Sequence, residues 1–259
     1  MGIKDLLPAL EGVMTAVTPN LFNGLKVAID GYAWLHKAAY CCALELCTQQ
    51  PTDKFIHYPM SMIQMLLTCG ATPLVVFDGG ALPSKGGQEA IRRLRRDEGL
   101  AKGLQLLRAG DRASATKMFQ QSLDVTTVMA KRLCEELKKA RVEFIVAPCE
   151  ADAQLAFLCL NGIVDAVITE DSDMVPFGVP KIIFKLTRDG EGRMLKIDDV
   201  SKSEDFRDFT QEMVRESCIL SGCDYLESVD GMGLKTAVKL IRQHGTAKRA
   251  LKASKFSGS

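Results

Sequence analysis

Seven carboxylates stand where apolar or helical runs of this chain give way to turns: Asp30, Asp78, Glu150, Asp152, Asp171, Asp173 and Asp224. Four of them form two tight pairs within residues 147–178, APCEADAQLAFLCLNGIVDAVITEDSDMVPFG. The run FIVAP (144–148) leads into Glu150 and Asp152, and AVIT (166–169) leads into Asp171 and Asp173. Carboxylates two apart on an extended stretch share a face, and on a loop at a strand end they can converge. Crowded acids repel, and burying them together costs several kcal/mol unless cations compensate. A cluster of oxygen donors without His suits hard ions such as Mg²⁺ or Mn²⁺. One DxD alone reads equally as a solvated acidic turn, but two pairs on successive strand ends weigh against that. Seven acids exceed what one Mg²⁺ requires, since it keeps several waters. Two ions about 3.5–4 Å apart, the arrangement that cleaves phosphodiesters, would use them.

Phosphate-binding groups flank the acids. Between 83 and 103, Lys85, Arg92, Arg93, Arg95, Arg96 and Lys102 face only Glu89, Asp97 and Glu98. On a helix Lys85, Arg92 and Arg96 share a side, and guanidinium groups in a row match phosphate oxygens. A solvated helix with internal ion pairs is the alternative. Gly86, Gly87 and Gly99 make the stretch read as a flexible arm or lid. Near the other end, DGMGLKTAVKLIRQHG places Gly231 and Gly233 before a helix carrying Lys235 and Lys239. Glycines there expose backbone amides to a phosphate, although a plain helix-start turn has the same pattern. Tyr32 and His36, four apart on the helix after Asp30, share one face. Together these residues predict a two-metal phosphodiesterase acting on nucleic acid. An aspartyl-nucleophile phosphatase would end its first strand in DxD, whereas this chain has Asp30-Gly31-Tyr32.

The elements that must position these groups follow from periodicity. Residues 25–29, 72–77, 144–148 and 166–168 read as buried strands, and 53–68, 111–141 (two helices), 152–162 and 209–222 as helices. KIIFKLT and RDGEGRMLKI form a hairpin or edge strands, and 3–16 reads as a short amphipathic helix. Acids at the carboxyl ends of strands in an α/β sheet stand where such folds hold ligands. The chain of 259 residues is 47% hydrophobic and 25% charged with net charge +1, so any basic surface is local. Nine cysteines, an odd number without CxxC, and three scattered His argue for a reducing compartment and against zinc. No apolar run approaches the ~20 residues that cross a bilayer.

Taken together the motifs resemble the flap endonuclease superfamily of structure-specific 5′ nucleases. The match runs in order through MGI, VAIDGYAWLHKA, PLVVFDG, LPSK, the RRLRR run, APCEADAQLA, ITEDSD, ILSGCDYL and GMGLKTA. YAWLHKAA, the neighbourhood of Pro51-Thr52-Asp53, LPSK and EADAQLAFL favour its exonuclease 1 branch. The resemblance implies an α/β fold: a twisted, mostly parallel sheet flanked by helices (a PIN-like 5′ nuclease core), with a helical arch and a helix-two-turn-helix. It implies a nuclease region over 1–99, arch and linking helices over 100–137, an internal nuclease region over 138–230, a helix-two-turn-helix over 215–250 and a tail over 251–259. Asp30, Asp78, Glu150 and Asp152 would serve one Mg²⁺ and Asp171, Asp173 and Asp224 the other, with Mn²⁺ able to substitute. Lys85 and Arg92 would steer the scissile phosphate with Arg95 and Arg96 helping, and Tyr32 and His36 would stack and guide the unpaired nucleotide. Gly2, after removal of Met1, would bring an amine and no side chain to the site. Gly231 and Gly233, with Lys235 and Lys239, would grip duplex DNA beside a K⁺ held near Ser221 and Ser228. Gly86-Gly87, where relatives often carry more charge, would loosen the start of the arch.

The implied activity is Mg²⁺-dependent 5′-to-3′ exonucleolytic cleavage of double-stranded DNA at ends, nicks, gaps and flaps, in mismatch repair and end resection. A nuclear monomer is implied, with repair and replication proteins as partners and no membrane. Two alternatives stay open: a dedicated flap endonuclease, and a truncated module that holds junction DNA without cutting it.

Overall fold

The structure is a computed structural model that describes residues 2–80, 82, 85–226 and 228–253. Met1, the Pro83-Ser84 of LPSK and the tail from 254 lie outside the described residues. The strands are β1 (Thr15–Val17), β2 (Lys26–Asp30), β3 (Thr72–Phe77), β4 (Glu143–Val146), β5 (Ala166–Ile168), β6 (Lys181–Phe184) and β7 (Gly192–Lys196). Their hydrogen-bonded order is β1-β7-β6-β5-β2-β3-β4. β3/β4 and β5/β6 pair parallel, whereas β6/β7 and β1/β7 pair antiparallel. The chain forms two compact units, Ile29–Ala151 and the combination of Met1–Ala28 with Asp152–Ser259.

In the unit Ile29–Ala151, Pro73 to Phe77 of β3 are buried without a break, as expected of a parallel strand covered on both faces. Its helices are α2 (Gly31–Ala39), α3 (Ala43–Cys47), α4 (Lys54–Thr68), α5 (Gly86–Arg108), α6 (Arg112–Gln121) and α7 (Thr127–Lys139). Side-chain caps start several of them. Asp30 Oδ1 accepts from Ala33 N at 2.9 Å, Asp111 Oδ1 from Ser114 N at 3.0 Å, and Thr126 Oγ1 from Met129 N at 3.3 Å. The supposed flexible arm is one continuous helix, α5, of 23 residues. Its inner glycines serve packing instead. A Cβ on Gly103 would stand 2.6 Å from the fully buried Phe119 ring, and one on Gly99 would collide with Ser122 Oγ. They let α5 and α6 lie against each other closely.

In the other unit, the expected helix over 3–16 is shorter. α1 covers only Leu6–Leu10, a single 3₁₀ turn follows, and Thr15–Val17 becomes strand β1. The β-branched Thr15 and Val17 suit a strand, and pairing with β7 from Thr15↔Met194 to Val17↔Gly192 overrides the helical periodicity. The expected hairpin is β6–β7, in register from Lys181↔Lys196 to Phe184↔Arg193. α8 (Ala151–Leu160), α9 (Met174–Phe177), α10 (Gln211–Ser221), α11 (Leu234–His244) and α12 (Ala247–Ala253) complete the chain. α11 is braced by Arg242, whose guanidinium donates to Asp205 O (2.8 Å) and Arg207 O (2.9 Å) and lies 4.6 Å over the Phe209 ring.

Candidate active site

Six of the seven acids take their place from a strand that ends or a helix that begins, and Asp224 follows the end of α10. In the unit Ile29–Ala151, Asp30 closes β2, caps α2 and is 7% exposed. Asp78 follows β3, and its Oδ1 accepts from Ala151 N, the first residue of α8, at 2.7 Å. Gly79 and Gly80 make that approach possible, donating to Cys149 O (2.6 Å) and Pro148 O (3.1 Å). A Cβ on Gly79 would run into Ala147 O. These glycines therefore close the chain against the segment that carries Glu150. Burial pushes the Asp78 carboxyl above its ordinary value; the Ala151 N–H opposes this, Glu150 adds to it, and Lys85 counters. Lys85, the N-cap residue of α5, reaches Glu150 at 2.5 Å, and both side chains are mostly covered. Lys85, Glu150 and Asp78 thus form one electrostatic group.

The arch side chains divide. Arg92 and Arg95 are exposed on α5. Arg96 is tied to Glu89 at 2.7 Å and lies 3.7 Å from Asp124, so the internal ion pairing weighed for this helix is real at that position. Tyr32 packs edge-on against Phe77 at 6.0 Å, and burial, then the Asp78 charge, raises its hydroxyl above the ordinary range. His36 is held below its usual value by burial and then by the Arg96 guanidinium, with Asp124 opposing. The sequence therefore places Tyr32 near Asp78 and His36 near Arg96, on one helix.

In the other unit, Asp171 and Asp173 occupy one turn after β5 and are 6% and 5% exposed. Thr169 Oγ1 accepts from Asp171 N at 3.0 Å, and Asp171 Oδ1 accepts from Asp173 N at 3.0 Å. Ser172, between them, was not singled out from sequence. Its buried hydroxyl accepts from Ile3 N at 2.8 Å and donates to Ile3 O at 3.4 Å, fixing the N-terminus to this turn. The only hint was its place inside ITEDSD. Gly2 lies against the same turn, where a Cβ would collide with Asp171 Oδ1 and Ser172 Oγ and stand 2.9 Å from Ser172 N. Its φ of +86° is itself a glycine conformation. Asp152 lies in the first turn of α8.

Asp224 sits in the turn closed by the Cys223↔Leu226 bridge, just after α10. Burial, then the Asp173 charge and Cys223, pushes the Cys218 thiol up to about 12, which places the acidic turn close to the end of α10. Ser221 Oγ donates to Cys218 O at 2.9 Å. Gly222, at φ +95°, lets Ser228 approach so that a Cβ would meet its N and Cβ at 2.9 Å. Gly231 has φ +78°, and Gly233 is the N-cap residue of α11. Both have open space where a side chain would stand. Lys235 and Lys239 are exposed one turn apart on that helix.

Among the described residues no group of three or more His, Cys, Asp or Glu is gathered tightly enough to hold a metal. Fit to a hard cation rests instead on the donor set and its setting. The donors are all oxygen. Asp171 and Asp173 are buried within one turn, and the backbone of Gly2 presses against it with no side chain between.

Family models match the chain twice, the XPG N-terminal domain over residues 1–99 and the XPG I-region over 141–224. Exonuclease 1 of Oryza sativa subsp. japonica is 43% identical over 259 residues, covering 99% of this chain and 31% of the rice protein. Exodeoxyribonuclease 1 of Schizosaccharomyces pombe is 39% identical over 260 residues, covering 100% of this chain and 46% of that protein. The chain thus spans less than half the length of these relatives. Among solved structures, the catalytic core of Rad2 in complex with DNA substrate superposes with TM-score 0.74 at 25% identity, over 96% of this chain and 70% of that one. Flap endonuclease-1 from Methanococcus jannaschii shares the fold, with TM-score 0.66 at 22% identity over 95% of this chain and 80% of that chain.

Proposed function

The chain belongs to the flap endonuclease superfamily, with relatives of the exonuclease 1 type, and on that premise we propose that it is a Mg²⁺-dependent 5′-to-3′ exonuclease of double-stranded DNA that also trims 5′ flaps. The observation that carries this reading is the turn holding Asp171 and Asp173: two acids two residues apart, both buried. Burying both as anions is costly unless cations compensate.

Asp30, Asp78, Glu150 and Asp152 are assigned to one divalent ion, and Asp171, Asp173 and Asp224 to the other, with Mn²⁺ as substitute. When bound, such ions supply Lewis-acid stabilisation of charge on the phosphate in a two-metal hydrolysis. The chain's own groups do the positioning. Lys85 and Arg92, helped by Arg95 and Arg96, offset charge on the scissile phosphate. Tyr32 and His36 stack the unpaired 5′ nucleotide. Gly2 keeps its side of the acidic turn clear. The amides at Gly231 and Gly233, with Lys235 and Lys239, grip duplex phosphates, and Ser221 and Ser228 are the oxygen donors assigned to a K⁺ there. The same reading places the chain in mismatch repair and end resection in the nucleus, as a monomer working with repair and replication proteins.

The test is single-turnover cleavage of a 5′-labelled nicked duplex in Mg²⁺ and in Ca²⁺, with wild type and Asp173→Ala. The expected result is mononucleotide release by wild type in Mg²⁺ alone, and none by Asp173→Ala, which still binds duplex. Preference for a flap over a nick by orders of magnitude would favour a dedicated flap endonuclease. Binding without cleavage in either ion would favour the junction-binding module.

A further inference from the structure

We propose that Tyr40 is a third stacking platform for unpaired 5′ nucleotides, extending the Tyr32–His36 face of α2 by one further turn. The proposal rests on the nuclease reading above and adds a subsite for the single strand leading away from the cleavage position. Tyr40 caps α2 with helical dihedrals (φ −55°, ψ −36°) and is the first residue of the short 3₁₀ turn that follows. Tyr32, His36 and Tyr40 therefore follow one another at intervals of four residues, spanning about 12 Å along the axis.

The aromatic residues of this helix are sorted by burial. Trp34 is 6% exposed and packs into the core against Tyr58 at 6.3 Å. Tyr32 is half-buried against Phe77, His36 reaches solvent although its ring is partly covered, and Tyr40 is 46% exposed. The row thus emerges from beside Asp78 and ends in a ring open to solvent. The His36 and Tyr40 rings are 6.0 Å apart and tilted by 49°. That leaves the outer face of Tyr40 available to a base rather than closed by its neighbour.

Two further contacts make this a site rather than a stray surface ring. Gln120 Nε2, on α6, donates to Tyr40 O at 3.2 Å, so the platform is held in place by the helix that packs on α5. Arg96, on α5, lies close enough to His36 for its charge to act on the imidazole. A guanidinium beside a row of rings is the arrangement that binds single strands without sequence preference, and here a phosphate would exchange with Glu89, which holds Arg96 at 2.7 Å, for that cation. Base–aromatic stacking contributes about 1–3 kcal/mol per base by alanine substitution, so a lost platform weakens binding about fivefold or more.

The experiment compares a nicked duplex bearing a 5′ flap of about five nucleotides, long enough to pass a platform of this kind, with the same nick lacking a flap. Binding is read by fluorescence anisotropy in Ca²⁺, cleavage by single turnover in Mg²⁺, and stacking by quenching of 2-aminopurine within the flap. Tyr40→Ala is expected to lower the flap-over-nick affinity ratio about fivefold or more and to abolish the quenching. Tyr40→Phe, which keeps the ring, is expected to restore both. An unchanged ratio in Tyr40→Ala, or Tyr40→Phe behaving like Tyr40→Ala, overturns the stacking role while wild-type cleavage leaves the nuclease reading standing. A wild-type chain that binds neither DNA overturns both.

Discussion

The backbone of Gly2 presses on Asp171 so closely that no side chain fits between them: a Cβ there would collide with Asp171 Oδ1 and Ser172 Oγ. The second residue of the chain and an acid near position 170 are thus locked in contact, with Ile3 anchored to Ser172 beside them. Gly2→Ala must displace the acidic turn or the N-terminus, and it also forces alanine into φ +86°. We expect single-turnover cleavage in Mg²⁺ to fall at least about tenfold, since misplacement by an ångström at a reacting centre costs that or more. An unaltered rate would show that the turn yields without consequence.

Lys85 sits against the Asp78–Glu150 group, at 2.5 Å from Glu150. Lys85→Ala leaves Glu150 facing Asp78 without that cation. The single-turnover rate should drop about 10²-fold, the usual cost of removing one charge-stabilising donor, while duplex binding changes far less. Equal losses in binding and rate would reassign Lys85 to simple DNA affinity.

Gly103 faces the buried Phe119 ring where α5 meets α6, with room for no Cβ. Gly103→Val should destabilise the chain by about 1–3 kcal/mol through overpacking, even though valine or alanine would ordinarily favour a helix over glycine. Urea denaturation distinguishes the two effects by sign. Added stability would refute the close-packing account.

Burial, followed by the Asp173 charge, carries the Cys218 thiol up to about 12, against an ordinary 9.0. At pH 8 the thiol stays protonated and should resist iodoacetamide in the native chain, whereas exposed Cys41 is alkylated. Peptide mass mapping reads both. The sign for stability follows from the raised value. The unfolded chain releases this proton near pH 9 and the folded chain holds it to about 12, so stability declines through that alkaline window.

Much of the scaffold was legible because strand-end acids follow unbroken apolar runs. Asp30 does close β2 and Asp78 does follow β3, as branched, buried stretches dictate. What failed had a tertiary cause. Residues 3–16 carry helical periodicity, but β7 offers Thr15–Val17 a partner, which no local pattern announces. Gly99 reads as flexibility because a sequence displays a missing side chain without displaying that Ser122 stands opposite. The Lys85–Glu150 pair and the Ser172–Ile3 bonds join residues far apart in the chain, and spacing arguments reach only neighbours.

Asp78 holds the first amide of α8 from 73 residues away. That bond forms only when the ends of a long segment meet, and contacts between residues far apart in sequence form late because their closure entropy must be met first. Order of assembly follows from this. A chain still emerging or half-collapsed carries the acids but has neither the start of α8 nor Asp78 in its final place. On the nuclease reading, the acids at the end of β3 and at the start of α8 would come together only once the segment between Asp78 and Ala151 has folded.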